Sequence, residues 1–200
     1  MTADQERSSE YWAARDLAQS WAQGTARQVQ RLRAAVERAS ALDDAFARGQ
    51  AGDLDAFDDA EVFGAAWVEQ HLLAVAVQQF HKWAGRMLTA RGEVSPTEDR
   101  LMRLVRNSLE HLDEAVLTGD EALPGPTGNS SLRSLPGSRL SLRVATGTDR
   151  LMICGLVDVE TIEQACRALA EEIIDDILGP SDDLSFDPAA FMSPETEPDR

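Results

Sequence analysis

Residues 59–89, DAEVFGAAWVEQHLLAVAVQQFHKWAGRMLT, form the most apolar stretch of the chain and contain no proline. Val62, Phe63, Trp67, Leu72, Leu73, Val75, Phe80, Trp83, Met87 and Leu88 spread over most of a helical circumference. A helix that is apolar on so many sides must be buried on more than one of them. This stretch therefore predicts a long central helix, and the rest of the chain has to supply the surfaces that cover it.

Upstream, residues 10–41 are rich in Ala, Leu, Gln, Glu and Arg, and Gly24 is the sole interruption. Their composition favours a helix. Trp21, Val29, Leu32 and Val36 recur at three- and four-residue spacing, which gives that helix one buried stripe. Residues 43–59 turn acidic and glycine-containing, so they read as a surface connection. Downstream, Gly92 reads as the residue past a helix C-terminus, Ser95 as an N-cap and Pro96 as the first position of a third helix. That helix is expected to end near Gly119. Residues 119–138, rich in Gly, Pro, Ser and Asn, read as a long loop.

After the loop the hydrophobic period changes. Leu140, Leu142 and Val144 alternate with polar residues, residues 146–149 (Thr-Gly-Thr-Asp) offer a turn, and residues 151–157 are apolar, so a small β-hairpin is expected over 139–157. Helical spacing returns over 158–178 through Ile162, Cys166, Leu169, Ile173 and Ile177, with Gly179-Pro180 as a stop. The fold class is all-α: a bundle of four to five helices with a β-hairpin inserted before the last. Residues 1–178 form a single helical domain, with an N-terminal helix at 10–41 and a helical hairpin at 59–118. Residues 179–200 are Pro-rich and acidic and read as a disordered tail.

Composition narrows the function classes. The formal charge of -16 gives an average surface that repels nucleic acid, which is bound through clustered Lys and Arg. Lys82 is the only lysine, so any local phosphate site has to be built from arginine, whose guanidinium grips phosphate with paired hydrogen bonds. Two isolated cysteines, Cys154 and Cys166, make neither a disulfide framework nor a zinc site. The N-terminus lacks the apolar run of a signal peptide, and no stretch is long enough to span a membrane, so a cytoplasmic protein without a membrane role is expected. No cofactor and no metal are expected either.

One segment suggests chemistry. Arg106-Asn107-Ser108-Leu109-Glu110-His111 lies in the expected third helix, where Leu101, Val105, Leu109, Leu112 and Val116 would form the buried stripe. Asn107 and His111, four apart, share a flank, so the amide can orient the imidazole for base catalysis. Arg106 lies roughly 140° away from His111, at about 100° per residue. A single helix cannot aim both at one phosphate, whereas two copies about a two-fold axis can. A homodimer is therefore expected, with His111 moving the proton of a ribose 2′-hydroxyl and Arg106 neutralising the phosphorane.

The pattern Arg-polar-x-x-x-His on a late helix resembles the HEPN superfamily, the higher-eukaryote and prokaryote nucleotide-binding domains. The resemblance covers residues 60–178 as helices, and six positions of it are sequence-specific. It implies an α-helical bundle that dimerises, and in many members a metal-independent endoribonuclease of toxin-antitoxin or other defence systems. It carries over Arg106 and His111 as the catalytic pair and Asn107 as the polar residue after the arginine, with RNA as the substrate. The acidic bulk and the inserted hairpin depart from the family picture. The competing expectation is a non-catalytic helical protein whose acidic surface or tail binds a basic partner, as an antitoxin or immunity-type subunit does.

Other candidates read as structural. His71 and His81 are ten residues apart on the apolar helix, about 15 Å along its axis, too far to share a metal. Trp12, Trp21, Trp67 and Trp83 read as core. The acidic pairs Asp43-Asp44, Asp58-Asp59, Glu171-Glu172 and Asp175-Asp176 read as solvated faces, and Glu69 as a solvated acid, its alternative being to face the motif helix and orient His111.

Overall fold

The computed structural model describes residues 3–49, 56–94, 99–128, 130–146 and 150–178, and side chains within 9–171 of these, apart from residues 56–59. The protein is mostly helical. The two long helices are α1 (Ala3–Ala47) and α2 (Ala56–Arg91). At 1.5 Å per residue they are roughly 68 and 54 Å long. They run antiparallel, because Glu10 near the start of α1 meets Arg86 near the end of α2 at 2.9 Å, while Gln28 hydrogen-bonds Glu69 midway along. Gly24 is absorbed into α1 without a break.

The central helix is buried on one broad face. Ala66, Gln70, Leu73, Val77, Phe80, Ala84 and Met87 of α2 are all closed to solvent; those from Leu73 to Met87 join a core cluster that also holds Val29 and Leu32 of α1, and Ala66 packs in a second one with Ala35. The opposite face, with Ala65, Val68 and Leu72, is exposed, so the apolar excess of α2 is only partly covered within the chain. At its C-terminus Gly92 takes φ +81° and the Glu93 N–H returns to the Leu88 carbonyl, the glycine-terminated ending expected from sequence.

The third helix departs from expectation at both ends. α3 spans only Arg100–Glu110. Its N-cap is Asp99, whose carboxylate accepts the Met102 N–H at 2.7 Å; the expected Ser95 and Pro96 lie outside the described residues. The helix stops at His111, a 3-10 turn follows over Leu112–Glu114, and Ala115–Thr118 is a strand, β1. Within the span 59–118 the helical part therefore stops at Glu110, and Val116 is 47% exposed instead of buried. The physical reason is local. Glu110, Asp113 and Glu114 crowd acid against the negative end of the helix dipole, and Val116 and Thr118 are β-branched, suited to a strand.

Residues 119–138 are correspondingly not a long loop. Gly119, with φ +58°, and Asp120 make a two-residue turn into β2 (Glu121–Pro124), which pairs antiparallel with β1. The short helix α4 (Ser130–Ser134) and a 3-10 turn at Pro136–Ser138 follow. β3 (Leu140–Ser141) then joins the other edge of β2, giving a three-stranded sheet in the order β1-β2-β3.

The expected 139–157 hairpin is likewise re-paired. β4 (Met152–Ile153) pairs with β5 (Val157–Asp158) and not with residues 140–144. The cause is the turn at Cys154-Gly155. Both residues have positive φ, 51° and 70°, and the Leu156 N–H bonds the Ile153 carbonyl at 2.9 Å. With Ile153 paired to Val157, Cys154, Gly155 and Leu156 make a three-residue connection, and it closes a shorter loop than a hairpin turning at residues 146–149 would. The 147–149 segment lies outside the described residues.

The last helix, α5 (Val159–Leu178), matches the sequence expectation; Gly179-Pro180 and the tail lie outside the described residues. The Asp158 carboxylate accepts the Glu160 N–H at its start. Arg33 of α1 meets Glu163 of α5 at 2.6 Å, and Val159, Ile162 and Cys166 enter the same core cluster as Phe80 and Leu32. Gln70 joins α2 to the second hairpin, its Oε1 accepting the Cys154 N–H at 2.6 Å. Trp21, Trp67 and Trp83 pack at the edge of the core, but Trp12 does not: it is 50% exposed, with the Arg15 guanidinium 4.5 Å above its ring.

Candidate functional site

The Arg106–His111 segment forms the C-terminal half of α3 and its cap. Val105 and Leu109 are buried, and Ser108 returns its hydroxyl to the Leu104 carbonyl at 2.7 Å, so this turn of helix is held from beneath. Arg106 lies along the helix surface, its side chain only 13% exposed, with Nη1 3.5 Å from Glu110. Its Nε is buried with no hydrogen-bond partner among the described residues.

His111 leaves the helix. As the C-cap, with φ -113° and ψ 31°, it sends its N–H to the Asn107 carbonyl and turns its ring outward, 58% exposed. The group placed beside the imidazole is Glu114, whose Oε1 stands 3.2 Å from Nδ1. A carboxylate there favours the tautomer with a proton on Nδ1, making Nε2 the proton-accepting nitrogen. Within one chain the structure brings Arg106 to Glu110 and His111 to Glu114.

Glu114 is not legible in the sequence as a site residue, because helical spacing places it in the body of a long third helix. Its place is set from the glycine-rich segment. A Cβ built on Gly125 would overlap the Glu114 carbonyl oxygen, and one on Gly128 would lie 2.6 Å from Oε2 and 2.8 Å from Cβ of Glu114. Arg133 holds the segment down by donating to the carbonyls of Gly125 and Pro126 at 2.7 and 2.9 Å. Two glycines thus let the backbone fold against the residue that faces His111.

The electrostatics at this end of α3 run against phosphate binding. Glu110, Asp113 and Glu114 surround the cap, and the helix C-terminus adds partial negative charge. Positive charge gathers elsewhere, in an open groove of about 730 Å³ between the start of α1 and the end of α2, lined by His81, Lys82, Arg86 and Arg91. Two of its three permanent cations are already matched, Arg86 by Glu10 and Arg91 by Glu93. The motif does not line it.

The remaining candidates resolve structurally. Glu69 faces α1 through Gln28 rather than the motif helix. His71 packs its ring edge-on to Trp67, and His81 stacks obliquely on Phe80. Asp43 accepts the Thr146 hydroxyl, and Asp44 lies 4.0 Å from Arg48. Among the described residues no group of three or more His, Cys, Asp or Glu side chains is placed to hold a metal ion, and no helix is long and apolar enough to cross a membrane.

Cys154 and Cys166 are free and buried, and burial pushes both thiols up to about 12 from 9.0, with Glu163 adding to the shift at Cys166. A thiolate is the reactive form, so native protein at pH 8 is expected to react slowly with a disulfide reagent and to release both thiols only on unfolding. The same shifts act on stability. The folded state holds these protons more tightly than the unfolded chain, so their contribution is intact below pH 9 and is lost as pH rises toward 12. The loss is about 1.4 kcal/mol per thiol per pH unit in that window. Urea titrations at pH 8 and 10 check this, and equal midpoints would show that the thiols are not buried.

No protein-family model, curated protein or solved structure matches the chain.

Proposed function

We propose that this protein is a non-catalytic, acidic helical interaction protein whose partner is basic, of the kind that antitoxin or immunity subunits exemplify. One observation carries the reading: the arginine that phosphodiester chemistry would require is folded against Glu110 at the acid-lined end of α3, 13% exposed. Arginine elsewhere is matched in the same way, Arg33 and Arg167 by Glu163, Arg139 by Glu121 and Arg143 by Asp120. The surplus of acid, 35 Asp and Glu against 19 Lys and Arg, is left to set the outward field. Such a field speeds association with a positively charged protein and selects against acidic ones.

A second reading, the HEPN-like metal-independent endoribonuclease acting as a homodimer, is favoured by two observations. His111 is open to solvent beside a carboxylate, as a general base requires, and the buried Nε of Arg106 is a donor that a phosphate oxygen would satisfy. For this to operate, Arg106 must exchange Glu110 for phosphate, and a second protomer must bring its own pair to the same cleft.

Parallel expression of wild type, Arg106→Ala and His111→Ala separates the two. The interaction reading expects no growth defect, intact RNA, and a salt-sensitive complex with a basic protein, reconstituted from purified components, that both alanine variants retain. RNA cleavage and toxicity in the wild type, abolished about 100-fold or more in either variant, would instead establish the nuclease.

A further inference from the structure

The outward face of α2 carries Glu61, Ala65, Val68, Leu72, Val75, Gln79 and Lys82, spaced alternately by four and three residues. This is the spacing of a coiled-coil seam. Its middle faces away from α1, and Lys82 at its end also borders the groove beside Glu10: the buried residues Ala66, Gln70, Leu73 and Val77 lie on the other side of the helix, while Val68 and Leu72 are 49% and 46% exposed. A row of four apolar side chains, Ala65, Val68, Leu72 and Val75, that the chain leaves at least partly open marks an interaction face.

The ends of the row identify its occupant. Glu61 closes the seam at one end and Lys82, the only lysine of the chain, at the other. We propose that this face binds a second copy of the same chain, α2 against α2, antiparallel about a two-fold axis at the level of Gln70. In that register Val68 faces the second copy's Leu72 and Ala65 its Val75, so each apolar residue of the row is covered by another. Glu61 then stands about 4.5 Å along the axis from the second copy's Lys82, within the reach of a lysine side chain. The two-fold makes that pair twice. A parallel arrangement would set Glu61 against Glu61 and Lys82 against Lys82, and is disfavoured by like charge.

The seam is small. From Glu61 to Lys82 it runs about 32 Å, and with a helix width of about 10 Å it falls below the roughly 800 Å² per partner of a standard stable interface. The dimer is therefore concentration-dependent, dissociating in the micromolar range. It uses a different helix from the motif and depends on neither functional reading above.

Sedimentation velocity of the full chain from about 1 to 100 µM tests it, with circular dichroism confirming that each variant keeps its helices. The wild type is expected to pass from monomer to dimer, and Leu72→Glu to remain monomeric. Glu61→Lys and Lys82→Glu should each weaken the dimer about tenfold by turning two attractive pairs into two repulsive ones, and the double exchange should restore it. A monomer throughout the range, or a dimer indifferent to Leu72→Glu, overturns the proposal. A double exchange no stronger than the single variants overturns the antiparallel register.

Discussion

Replacement of Phe80 by alanine is expected to lower stability by about 3–5 kcal/mol. Phe80 is completely buried, the largest such side chain in the core, and it lies on α2 where that helix is covered by the rest of the molecule. Truncation loses the transfer free energy of the ring and leaves a cavity, because helices as long as α1 and α2 cannot close over a single missing side chain. The neighbouring His81 ring, 5.7 Å away by centroid, would also lose its stacking surface. Against a typical stability of about 5–15 kcal/mol, such a loss brings the protein close to unfolding at ordinary temperature. Urea denaturation followed by circular dichroism measures it. A change under about 1 kcal/mol would mean that Phe80 does not sit at the centre of the core.

Gly125→Ala is expected to cost about 3 kcal/mol, a large effect for one methyl group, because Gly125 is buried. The added Cβ would collide with the backbone carbonyl of Glu114, which cannot swing aside as a flexible side chain would. Relief requires the turn after β2 to lift, which strains the β1-β2 pairing and the two Arg133 hydrogen bonds to Gly125 and Pro126. The carboxylate beside His111 would move with it. Thermal melting gives the stability change, and the His111 ring resonance in a proton–carbon correlation spectrum reports whether Glu114 has moved. A Gly125→Ala protein as stable as wild type, with an unshifted His111 signal, would remove the claim that the glycine segment is moulded on Glu114.

The helices α1, α2 and α5 could be read from the chain because each repeats one rule over many residues: apolar spacing of 3.6 and freedom from proline, from Tyr11 to Leu42 and again from Val62 to Leu88. Their ends were less legible, since propensity carries α1 beyond both expected limits, to Ala3 and Ala47. The region between α2 and α5 is hard to read for a different reason. Its elements are two to eleven residues long, too short for any period to outweigh a single turn. Leu112 and Val116 continue the helical spacing of Leu101, Val105 and Leu109, and nothing in that pattern says that the backbone turns at His111. The decision rests on acid at a helix C-terminus and on Gly119 offering a hairpin to residues that prefer a strand. Register escaped notice in the same way: residues 140–144 look equally able to pair with β2 or with residues 151–157. Of the candidate site, Arg106 and His111 were visible as residue types at a spacing, but Glu114 enters only through Gly125 and Gly128, whose role depends on a close approach that no spacing reveals.

The hydrogen bond from the Cys154 amide to Gln70 spans 84 residues of chain and is buried. Amides in hairpin turns ordinarily face water and exchange with it quickly, so a hairpin tip is usually the first part of a domain to open. Here the tip is fastened to the middle of the longest packed face, and letting go would strand a buried amide acceptor at a cost of about 1–3 kcal/mol. The smallest sheet in the molecule is thereby denied an opening of its own. Its tip and the start of α5 that follows it come apart together with the α1–α2 pair, which extends the cooperative unit from the first helix to the last.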